Sequence, residues 1–132
     1  MPSINIVAVI VVAVISMVTG SLWYSPMMFQ KMWVKLSGRE MPSGSSANMA
    51  YALSALTAII RALVLAIVLG LMGTTGVVNA VGLTFILWLG FVLPPLWSKI
   101  LYGQQSYMLL AIDARYYLID GAIGAIILTM WR

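Results

Sequence analysis

The sequence contains no cysteine, no histidine and only three acidic residues. Without thiol or imidazole it lacks the usual ligands of zinc, haem and iron–sulfur clusters, and the side chains that carry most nucleophilic and acid–base catalysis. No metal and no other cofactor is expected. Charge of either sign is scarce, at 8% of residues, and the net +4 comes from basic residues scattered through loops. They form no stripe that would track a nucleic acid backbone, so nucleic acid is not an expected partner.

What the chain has instead is hydrocarbon. Hydrophobic residues make up 63% of it, far above the level of soluble domains. They fall in runs of about 20, the length at which an α-helix rising 1.5 Å per residue crosses roughly 30 Å of bilayer core. A transmembrane barrel would show short alternating segments instead. The expected fold is therefore all-α and polytopic: one transmembrane domain over residues 1–132, with spans at about 4–24, 50–72, 77–98 and 108–131.

The first run, "INIVAVIVVAVISMVTGSLWY", carries no charge. A signal peptide would have a basic leader and a shorter apolar core, so the run is read as a span. "GTTG" between the second and third spans leaves room only for a tight turn, which predicts that these two helices are antiparallel neighbours. The link between the first two spans is longer, and its "SGREMPSGSSAN" has the composition of an exposed loop. Loops one and three hold Lys31, Lys35, Arg39 and Lys99, whereas the opposite side holds Arg132. By the positive-inside rule both termini are expected outside the cytoplasm, in an inner (plasma) membrane protein.

At the end of the first run the chain reads "WYSPMMFQKMWVK". Trp23 and Tyr24 suit an aromatic belt, Ser25 suits a helix N-cap, and Pro26 suits the first helical position. In the helix expected over about 26–37, Met28, Phe29, Met32, Trp33 and Leu36 share one face and Lys31 and Lys35 another. That is the pattern of an interfacial helix lying on the bilayer. Anchoring is the common use of such residues; a lipid or partner site is the narrower one. Pro94 and Pro95 remove two backbone donors and should kink or end the third span. Trp88 and Phe91 could face either core or lipid.

The "WYSP" at Trp23–Pro26, the following Phe29, Lys31 and Trp33, and the "WLGF" at Trp88–Phe91 resemble the motifs of a family of small bacterial four-helix membrane proteins of unknown function. The order and spacing of the spans extend the resemblance over nearly the whole chain. It implies a four-helix integral membrane fold and carries no activity or site residues.

Arg61 stands alone in the apolar stretch "TAIIRALVLA". A mid-membrane arginine costs about 2.5–3.5 kcal/mol on the insertion scale, and more on an isolated helix, so it should turn from lipid. Arg61 and Asp120 lie at matching depths on helices of the same direction, which predicts an ion pair; Asp113, seven residues before Asp120, is the second candidate partner. Arg115 points elsewhere and suits snorkelling to headgroups or contact with another helix. Ser54 and Thr57 share the Arg61 face, and Tyr116 and Tyr117 accompany the aspartates, together outlining a polar seam. Ser16 with Gly20, and Gly121 with Ala125, have the small-residue spacing that permits close helix approach.

Three functions follow from this inventory. One is a homo-oligomeric permeation or transport protein for an ion, proton or small solute. A second is a non-transporting scaffold or accessory subunit of a larger membrane complex. The third, an enzyme acting on a lipid or quinone, lacks any visible nucleophile–base arrangement.

Overall fold

In the computed structural model, which describes residues 2–132, the chain is helical with short connections. The helices are α1 (Ile6–Trp23), α2 (Gln30–Ser37), α3 (Ser45–Leu71), α4 (Val77–Leu87), α5 (Leu93–Tyr102) and α6 (Tyr107–Met130). A π-helical turn, Trp88–Val92, joins α4 and α5 into one continuous helix over Val77–Tyr102.

Three helices are long and apolar enough to cross a membrane: Ile6–Trp23, Ser45–Leu71 and Val77–Tyr102. The expected fourth span, α6, matches them in length, but Asp113, Arg115 and Asp120 interrupt its hydrocarbon. The outer faces of the first three are coated with large apolar side chains, among them Ile6, Ile10, Val14 and Val18 of α1 and Leu56, Ile60 and Val64 of α3. A surface of this kind fits acyl chains.

The interior is made of smaller residues. Ala8, Val9, Val12, Ala62, Ala80 and Ala125 form its centre with Leu69 and Leu128. Small side chains let helix backbones approach closely, and close packing takes the place of a hydrophobic driving force that lipid does not supply. A Cβ on Gly124 would come within 3.2 Å of Val12, and one on Gly121 within 3.0 Å of Thr84. The small residues noted in the sequence thus serve contacts within the chain.

Helix α6 is the hub, packing on α1, α2, α3, α4 and α5. This corrects the expectation that the second and third spans are close neighbours. Helix α3 packs chiefly along α1 and α4 along α6, so α3 and α4 make little contact beyond their short connection. Gly73 and Gly76 turn that connection with φ of 60° and 81°, a left-handed backbone that glycine adopts without a Cβ penalty.

Several boundaries also differ. Helix α3 starts at Ser45, earlier than 50, because Gly44 at φ 61° breaks the chain just before a serine- and alanine-containing stretch that continues the helix. The helix expected over about 26–37 starts at Gln30, later than 26. Ser25 does not cap it: its Oγ donates to the Leu22 carbonyl at 2.7 Å, while its own carbonyl accepts from Met28 and Gln30 and closes a turn over Pro26. The third long helix passes through Pro94 and Pro95 and ends at Tyr102 instead of near 98. The prolines occupy the first turn of α5, where absent donors are tolerated. The irregularity sits just before them, in the π turn closed by Leu93 N–H donating to the Trp88 carbonyl.

Candidate functional site

Arg61 lies ten residues before the end of α3, and Asp120 ten before the end of α6. At 1.5 Å per residue both sit roughly 15 Å from the same end of the bundle, half the thickness of a hydrocarbon core. There Arg61 Nη2 donates to Asp120 Oδ2 at 2.6 Å. The guanidinium carbon also lies 4.8 Å from the Tyr117 ring centroid, a cation–π distance. The two partners are unequally covered: the Asp120 side chain is 6% exposed and the Arg61 side chain 38%. Asp120 is sealed among the helices, whereas Arg61 reaches it from the rim of the bundle.

Ser54 and Thr57 do not line an interior seam. Both are exposed, and the Thr57 hydroxyl donates to the Ser54 carbonyl at 2.9 Å. The packed face of α3 is carried by Ala58, Ala62 and Leu69, all in its second half, while the first half runs largely clear of the bundle. Exposed Ser54 and Thr57 therefore sit with half-buried Ala47, Ala50 and Arg61 in a partly uncovered stripe of small and polar residues at spacings of three and four.

Asp113 is not a partner of Arg61. It accepts a 2.5 Å hydrogen bond from the Tyr24 hydroxyl, which arrives from the turn after α1. Trp23 and Tyr24, expected as belt residues facing headgroups, are turned inward instead. The Trp23 indole N–H donates to the Ile112 carbonyl at 3.1 Å, and its ring lies 4.7 Å from that of Phe29. Tyr24 meets Tyr116 edge-on at 5.7 Å and Trp33 at 6.3 Å. Tyr116, 8% exposed, donates its hydroxyl to the Ser16 carbonyl at 3.1 Å. Lys31, Lys35, Pro26 and Arg115 remain exposed, and Ser25 and Trp33 are half-buried.

The "WLGF" segment divides across the π turn, where residues three apart no longer share a face as they would in an α-helix. Trp88 turns inward, donating to the Ala114 carbonyl at 2.9 Å and stacking on Phe85. Phe91 is 77% exposed. Two tryptophans, one from each motif, thus grip carbonyls two residues apart on α6. Sequence reasoning missed this clasp because an indole N–H donor leaves no periodic signature, and backbone carbonyls are the same at every position.

A search of curated proteins gives no match, and none of the solved structures matches. A model of a protein family does match, over residues 7–129. The chain belongs to that family, described as protein of unknown function DUF1761, and both tryptophan motifs and the Arg61–Asp120 pair lie inside the matched region.

Proposed function

We propose that the protein crosses the bilayer four times, self-associates along the partly uncovered stripe of α3, and forms a narrow permeation path for an ion, proton or small solute beside Arg61. The observation that supports this reading is the partly exposed Arg61 side chain at mid-helix, on the face that carries two exposed hydroxyls. A charge at that depth is costly against acyl chains. A second copy that presents the same Ser54, Thr57 and Arg61 stripe would exclude lipid and leave hydroxyls and guanidinium facing one another across a polar seam. Four helices enclose little volume, and neither of the two clefts found at the bundle's ends is lined by Arg61 or Asp120. A path through a symmetric assembly fits this geometry better than one through a single copy.

In this reading α6 is the fourth crossing, its aspartates and Arg115 tolerated through Tyr24, Arg61 and headgroup contact. Both termini lie outside the cytoplasm. The test combines solubilised mass with proteoliposome flux. An oligomer is expected, with flux lowered by Arg61→Gln; a strict monomer with no flux of anion, cation or proton ends the proposal.

A second reading, a non-transporting scaffold within a larger membrane complex, is favoured by the closure of Arg61 on Asp120 and Tyr117. It expects Arg61→Gln to lower assembly while a larger protein co-purifies in mild detergent and no flux is measured.

A further inference from the structure

Four of the seven basic residues gather at one end of this small protein. Lys31 and Lys35 project from α2, Arg39 follows it, and Lys99 stands in the last turn of α5, all exposed. Between α2, α5 and α6 lies a shallow cleft of about 40 Å³ that is lined by both Arg39 and Lys99. Trp33 forms one wall, and Leu96, Ile100 and Leu110 supply an apolar floor and flank. The one carboxylate in the lining, Asp113, is already engaged by the Tyr24 hydroxyl. Among the described residues the single ion pair is Arg61–Asp120, so Arg39 and Lys99 have no carboxylate within pairing distance. Glu40 follows Arg39 in the chain and does not line the cleft.

Two cations from different elements, neither in an ion pair although Lys99 feels the charge of Asp113, thus meet an indole and aliphatic side chains beside an amphipathic helix. We propose that this cleft holds the phosphate headgroup of an anionic phospholipid, with Arg39 and Lys99 on the phosphate and the acyl chains running along Leu96 and Leu110. The cations match phosphodiester charge; basic pockets between helices at the boundary are the recurring protein solution for such headgroups. A small, open cleft suits a headgroup whose tails remain outside. The Tyr24–Asp113 bond keeps the neighbouring carboxylate turned to a donor, which limits its repulsion of the ligand.

The test is native mass spectrometry of the delipidated full chain titrated with phosphatidylglycerol or phosphatidylcholine of identical acyl chains. The wild type should retain phosphatidylglycerol with roughly tenfold or greater preference, since each basic contact contributes on the order of 1 kcal/mol. Arg39→Gln with Lys99→Gln should abolish the preference, and Arg39→Lys with Lys99→Arg should keep it. Lys31→Gln with Lys35→Gln should leave it largely unchanged. Equal retention of the two lipids by wild type, a comparison that needs no variant, overturns the proposal. So does an undiminished preference in the glutamine pair. Millimolar sn-glycerol 3-phosphate should fail to displace the lipid; displacement would reassign the site to a soluble phosphate ester and overturn the lipid assignment.

Discussion

Asp113 and Asp120 lie on one helix seven residues apart, yet their surroundings give them different partners. Asp120 faces a guanidinium and is sealed; Asp113 faces a phenol and borders a cleft. Removing the acid of a buried pair leaves a charge without its partner. Asp120→Ala should therefore cost about 2–3 kcal/mol, less than the roughly 3–5 of a fully buried pair because Arg61 is partly open. Thermal unfolding in detergent, followed by circular dichroism, measures this. If the pair serves as a brace alone, Arg61→Met with Asp120→Leu should recover most of the loss, since apolar replacements of buried pairs are often neutral. Tyr24→Phe deletes the donor to Asp113 without changing ring packing and should cost about 1–2 kcal/mol in the same assay.

At the level of elements, α6 organises the fold, and the motifs on the other helices are devices for holding it. The Trp23 and Trp88 indoles donate to Ile112 and Ala114, and Tyr116 returns a hydrogen bond to Ser16 on α1. Each carbonyl retains a second lone pair for such a donor while serving its own helix. Trp88→Phe and Trp23→Phe should each cost about 1 kcal/mol from the hydrogen bond, with a further loss of buried ring area. Because both indoles hold α6 at carbonyls two residues apart, the double variant should depart from the sum of the singles; unfolding of the single and double variants checks this. The π turn at Trp88–Val92 adds a residue to the helical repeat immediately before two prolines that cannot donate. The Trp88 indole grips α6 from the start of this turn, and Phe91 within it faces outward.

The whole molecule has two distinct ends. At one, the Asn5 amide donates to the Trp131 carbonyl at 3.3 Å, and Arg132 donates to the Thr74 carbonyl. This brings both termini beside the α3–α4 turn. At the other lie α2, Lys99 and the connection into α6. A chain free of cysteine is well suited to testing which end faces which compartment. With the orientation proposed above, Thr75→Cys should react with a membrane-impermeant maleimide in intact cells. Gln104→Cys should react only after permeabilisation. The reverse pattern would invert the topology and leave the helix packing as described.

The sequence alone determined the all-helical fold and three of the expected crossings, because a helix that must satisfy its backbone within a bilayer needs a fixed length of hydrocarbon, and length is written in one dimension. It also brought Arg61 and Asp120 to the same depth, since depth is a residue count along parallel helices. It did not reveal which face of α1 is buried. Both faces are apolar, and valine falls on each: Val9 and Val12 lie inside with Ala8 and Ala13, and Val14 and Val18 lie outside with Ile10, so residue type does not divide them. For the same reason Ser54 and Thr57 read as interior polar residues, although the bundle does not extend over the first half of α3. The inward turn of Trp23 and Tyr24 was equally hidden, because an aromatic pair at a helix end suits headgroups and backbone carbonyls alike. Only the tertiary structure decided these matters: contact between non-adjacent helices depends on azimuth and close approach, and neither is fixed by residue type when nearly every side chain is hydrocarbon.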